Sequence, residues 1–66
     1  MTSETTWRDR VEAEMAELNT KIADLDRFIN QGGFVGKMSE DHVRLLLIQL
    51  DTMRSYARVL QARLAL

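Results

Sequence analysis

The feature that most restricts this chain is the placement of its helix-breaking residues. There is no proline, and all three glycines fall between positions 32 and 36. The stretches on either side run without interruption, which marks two long segments around one turn. Before the glycines, apolar residues sit at Val11, Met15, Leu18, Ile22, Leu25 and Ile29. The steps alternate between four and three, the heptad pattern of a helix with one buried seam. After the glycines, the same alternation runs through Val43, Leu46, Leu50, Met53, Ala57, Leu60 and Leu64.

Local signals set the ends. Thr6 offers a capping hydroxyl with Asp9 three residues on, a relative of the capping box. Ser39 is a good N-cap, and Glu40 and Asp41 suit the positive end of a helix dipole. Asn30-Gln31-Gly32-Gly33 stops the first helix, because glycine accepts a left-handed backbone. The expectation is one all-α domain over 1–66, with a helix at about 6–30, a turn at 31–38 and a helix at about 39–65. Helices joined this closely pack antiparallel. Phe34, Val35 and Met38 are expected to close over the end of that hairpin.

The second helix has more apolar residues than one partner can cover. Leu45, Ile48, Thr52, Val59, Ala62 and Leu66 step by three, four and seven on roughly the face opposite the main seam. A helix apolar on two sides is normally buried on two sides. A chain of 66 residues buries only about 60% of its unfolded surface, and small domains compensate with disulfides, metals or association. There is no cysteine, and the one histidine, His42, has no cluster of ligand types at metal spacing. Association remains, so the hairpin is expected to assemble into a helical homo-oligomer with its second helix central.

Composition excludes several functions. A formal net charge of −1 argues against a DNA binder, which usually needs a basic face. No apolar run reaches the roughly 18 residues of a membrane span. Met1-Thr2-Ser3-Glu4 lacks the basic and apolar regions of a signal peptide, so a cytoplasmic protein is expected. Gly32-Gly33-Phe34-Val35-Gly36 follows no strand, so the phosphate-loop reading fails on context. No Ser/His/Asp set or metal triad is legible. The chain reads as no enzyme and as needing no cofactor.

Candidate binding residues lie beside the seams. Trp7, Glu14, Lys21 and Phe28 share one stripe at heptad spacing, with Arg8 and Arg10 next to the tryptophan. A tryptophan with nearby cations can bind a flat anion, ring on base and cation on phosphate. Trp7 and Lys21 are fourteen residues apart, about 21 Å along a helix. One small nucleotide contacts both only if they come from two subunits packed head to tail. The bland readings stand beside this one: Trp7 as a packing anchor, and Lys21 as a solvated residue or one salt-bridged to Glu17 or Asp24. Tyr56 and Arg63 form a second heptad pair flanking the seam of the second helix. Clustered arginines in an oligomer attract anions, although on sequence alone a solvated face is the simpler account of the pair. His42 reads as structural.

Two motifs resemble a known family. Residues 10–29 fit R-V-x-x-E-x-x-E-L-x-x-K-I-x-x-L-x-x-F-I through Arg10, Val11, Glu14, Glu17, Leu18, Lys21, Ile22, Leu25, Phe28 and Ile29. Residues 49–64 fit Q-L-x-x-M-x-x-Y-x-x-V-L-x-x-R-[IL] through Gln49, Leu50, Met53, Tyr56, Val59, Leu60, Arg63 and Leu64. This pattern is similar to that of the anti-CBASS sponges, phage proteins that block cyclic-oligonucleotide defence in bacteria. The resemblance implies a helical homohexamer in the host cytoplasm, without catalysis, that sequesters cyclic dinucleotides between subunits. In some members it implies cyclic trinucleotides in separate pockets on the three-fold axes. It assigns Trp7 and Lys21 to the dinucleotide site and places Arg63 near the basic position of the trinucleotide pocket. Ala23 departs from relatives that carry a threonine there, and the glycine-rich linker is longer than theirs. The competing class is a hairpin that pairs with another protein through its second helix, for which Trp7 and Lys21 are replaceable.

Overall fold

The computed structural model describes residues 6–32 and 35–66. Helix α1 spans Trp7–Ile29, a 3₁₀ turn covers Val35–Lys37, and helix α2 spans Glu40–Leu64. Among the described residues there is no strand. The two helices pack as an antiparallel hairpin, an elongated body of 53 × 21 × 14 Å.

Both helices begin where side chains satisfy the free N–H groups of a first turn. The Asp9 N–H donates to the Thr6 hydroxyl at 3.1 Å, and the Thr6 N–H donates to the Asp9 carboxylate at 3.4 Å, a reciprocal box. The His42 N–H donates to the Ser39 hydroxyl at 3.1 Å, so His42 serves the start of α2 through its backbone. Replacing Ser39 with Ala is expected to cost about 1 kcal/mol. The check is a urea titration, where a lowered midpoint with an unchanged slope gives the cost of the lost cap.

The end of α1 is built by Asn30 before any glycine acts. Its N–H donates to the Asp26 carbonyl at 3.1 Å, and its side-chain amide donates to that same carbonyl at 2.8 Å. Asn30 itself is right-handed, and the left-handed residue is Gly32, at φ 36°. The Gly36 N–H then closes the turn on the Gly32 carbonyl at 3.3 Å. Gly33 and Phe34 lie outside the described residues, as does the side chain of Val35, while Met38 is half-buried beside α2.

The core is a single seam. Val11, Leu18 and Leu60 are buried together, with Met15, Ile22, Met53, Ala57 and Leu64 packed against them. Leu50 is also buried. All thirteen apolar residues of the two main heptad seams are buried or half-buried. Fully burying a Leu or Val side chain contributes about 1.5–3 kcal/mol, so four such residues make a thin core.

Polar ties fix the register at both ends. Arg54 pairs across the hairpin with Asp26 at 3.3 Å, and Asp26 also accepts from the Asn30 amide at 3.3 Å. The pair is half-exposed and contributes about 0.2–1 kcal/mol, so its role is alignment more than strength. At the open end Arg8 donates to the Leu64 carbonyl at 2.7 Å and to the Leu66 carbonyl at 3.4 Å. No helix among the described residues is long and apolar enough to cross a membrane.

Candidate functional site

The Asp26–Arg54 tie divides the hairpin into two flanks. At about 100° per residue, Asp26 lies on one side of the α1 seam and the stripe Trp7, Glu14, Lys21, Phe28 on the other. In α2, Arg54 lies on one side of its seam, and His42, Gln49, Tyr56 and Arg63 on the other. Antiparallel packing brings like sides together, so Trp7, Lys21, Tyr56 and Arg63 share the flank away from Asp26. The register set by Arg8 with Leu64 and by Asp26 with Arg54 puts Tyr56 near the level of Lys21. Arg63 falls between the levels of Lys21 and Trp7.

These residues remain available to a ligand. Trp7 is 43% exposed and Tyr56 42%, and Lys21 and Arg63 are exposed. Lys21 has no ion-paired carboxylate: Asp24 pairs with Arg27 at 3.3 Å, and Glu17 enters no ion pair. Arg44 is held by Asp41 at 3.6 Å, and Arg58 donates to the Ser55 hydroxyl at 3.0 Å. Among the described residues, Arg10, Lys21, Lys37 and Arg63 are the cations with no ion pair or hydrogen bond from the side chain. The salt-bridged reading of Lys21 is therefore not what the chain adopts.

Arg8 differs from its neighbours. Its guanidinium holds the end of α2 and lies over the Trp7 ring, 5.0 Å from the centroid. An arginine committed to two carbonyls and a ring is poorly placed to take a phosphate as well. The sequence pattern offered no signal for this contact, which joins residues 56 and 58 positions apart.

The hollow formed by the described residues lies away from the candidates. It is shallow, with a volume of 430 Å³ at the closed end, and is lined by Met38, Glu40, Val43, Arg44 and Leu47. None of Trp7, Arg8, Lys21, Tyr56 or Arg63 lines it. The candidate site is an exposed flank, and a flank encloses a ligand only when something covers it. Among the described residues no group of three or more His, Cys, Asp or Glu is placed to hold a metal ion.

The outer face of α2 adjoins that flank. Leu45 is 62% exposed, Ile48 52% and Val59 54%. Thr52, Ala62 and Leu66 are exposed with them. Helix α1 covers none of this seam.

A family model described as Sequestin matches residues 5–66. The chain belongs to the Sequestin family. The match spans both motifs quoted above and agrees with the resemblance drawn from them. No curated protein and no solved structure matches the chain. The name Sequestin denotes a protein that binds and holds a ligand, a role in sequestration and not in turnover. An exposed flank that carries an aromatic ring beside cations with no ion pair among the described residues suits that role.

Proposed function

We propose that this Sequestin captures cyclic oligonucleotide second messengers, cyclic dinucleotides above all, and so blocks CBASS immunity in the cytoplasm of a phage-infected bacterium. The observation that carries this reading is the α1 stripe. It presents the Trp7 ring and an unpaired Lys21 ammonium on one exposed flank, beside an uncovered apolar face.

The chemistry follows from these groups. The Trp7 indole stacks on a base, a contact worth about 1–3 kcal/mol, and Lys21 donates to the cyclic phosphates. The two are about 21 Å apart in one chain, so the ligand lies between Trp7 of one subunit and Lys21 of another. Subunits meet through the Leu45–Ile48–Val59 face of α2, in a homo-oligomer for which a hexamer is the expected count. Arg63 and Tyr56, further along the flank, are assigned to a second anion-binding contact, open to a cyclic trinucleotide. A site preformed by assembly lowers the ordering cost of binding. Holding the messenger without cleaving it keeps the host effector inactive by mass action.

Thermal denaturation tests the reading, with cyclic di-AMP, cyclic di-GMP, 3′,3′-cyclic GMP–AMP and cyclic tri-AMP, and a linear dinucleotide as control. A ligand at 100 times its Kd adds about 2.7 kcal/mol to the folded state, which for a domain this small raises the Tm by about 10 °C or more. Trp7→Ala and Lys21→Ala are each expected to abolish the rise for a dinucleotide. The ligand should be recovered intact after the protein is denatured. No shift with any cyclic nucleotide would overturn the proposal in favour of a hairpin that binds another protein.

A further inference from the structure

The placement of Arg8 bears on how the tryptophan is held. Successive residues on a helix do not face one another, yet the Arg8 guanidinium lies 5.0 Å from the centroid of the Trp7 ring. What draws it there is the far end of the chain. The last carbonyls of a helix have no partner within it, and Arg8 donates to that of Leu64, where α2 ends, and to that of Leu66 just beyond it. A cation at that end also suits the helix dipole. The guanidinium thus has its two terminal nitrogens on carbonyls and its central carbon over the indole. Arginine is suited to both at once, because its planar fork spans two acceptors while its face stacks on a ring.

We propose that Arg8 is a positioning residue that fixes the Trp7 indole against the end of α2 and covers one of its faces. The tryptophan is then a one-sided stacking surface, set in orientation before any ligand arrives. Arg10 is the natural comparison, since it sits on the same turn and has no side-chain partner among the described residues. The inference deepens the proposed stacking role of Trp7 and rests on it only for the ligand arm of the test.

Trp7 is the sole tryptophan of the chain, so its fluorescence and near-ultraviolet dichroism report this contact directly. Arg8→Gln removes the cation, and Arg8→Lys keeps the charge but loses the fork. Both are compared with Arg10→Gln, well below the melting midpoint and at matched far-ultraviolet dichroism. Both Arg8 variants are expected to lose the near-ultraviolet band and to show greater acrylamide quenching, while Arg10→Gln matches the wild type. A merely stabilising Arg8 would lower the Tm and leave these signals in place, and a wild-type Trp7 signal in Arg8→Gln overturns the proposal.

In the ligand arm, 3′,3′-cyclic GMP–AMP is titrated over a range of salt. Arg8→Gln is expected to weaken binding about tenfold, from the lost preorganisation, with the salt dependence unchanged. A reduced salt dependence would mean a direct phosphate contact and overturn the positioning role. Failure of the wild type to bind any cyclic nucleotide would remove the proposed function and leave the free-protein result to decide the position of Arg8 on its own.

Discussion

Leu60→Ala is expected to lower the unfolding free energy of the protein by about 3–4 kcal/mol. Leu60 is 0% exposed, the most deeply buried side chain described, and it packs in one cluster with Val11 and Leu18. Truncating a buried leucine to alanine costs about 2–5 kcal/mol, the upper part of that range applying where the cavity cannot collapse. A two-helix seam has neighbours on one side only, so some collapse is available and the middle of the range is expected. The whole stability of a chain this size is about 3–10 kcal/mol. One substitution therefore removes a large share of it. Urea titration followed by far-ultraviolet dichroism measures the loss. The matched control is Leu45→Ala at high dilution, since Leu45 is exposed in the hairpin and surface changes stay within about 0.5 kcal/mol. Equal midpoints for Leu60→Ala and Leu45→Ala would mean that the α1–α2 seam is not the core.

The seam was legible because apolar periodicity is a one-dimensional record of which face is buried. Residues from Val11 to Ile29 and from Val43 to Leu64 fall at alternating steps of three and four, and every one of them is buried or half-buried. Thr6 and Ser39 were legible as caps because capping chemistry is local, spanning three residues. The uncovered face of α2 was legible by subtraction, since one helical partner cannot cover two opposite apolar stripes.

What sequence left out is what depends on register. Nothing in the spacing of Arg54 and Asp26 marks them as partners, because their proximity comes from which turn of α1 meets which turn of α2. The same holds for Arg8, which as a cation beside a tryptophan resembled a ligand-binding group and is committed to the end of α2. Lys21 shows the converse. Glu17 and Asp24 both stand at ion-pair spacing from it, and only the rotamers show that Asp24 turns to Arg27 instead. Sequence placed a stripe of candidates on a face, and side-chain geometry separated the committed cation from the free ones.

The parts of the proposed site lie too far apart to act in one chain, so that reading makes the outer face of α2 decide whether they act at all. Ile48→Glu is expected to convert the assembly to monomers and to abolish cyclic-nucleotide binding with Trp7 and Lys21 untouched. Ile48 is 52% exposed and lies away from the α1 seam, so the variant hairpin should keep its helicity. In an oligomer the same residue is enclosed, and each subunit would bring a carboxylate into an apolar contact. An unpaired charge buried at an interface costs several kcal/mol, enough to shift a micromolar association beyond reach. Sedimentation velocity gives the mass, and thermal denaturation with 3′,3′-cyclic GMP–AMP gives the ligand response. A monomer that still shows the full ligand shift would mean that one chain suffices, and the site would then have to be rebuilt around Lys21, Tyr56 and Arg63 alone. An unchanged mass would place the subunit contact on another surface. A monomer blind to the ligand would mean that this Sequestin builds its binding site by assembling.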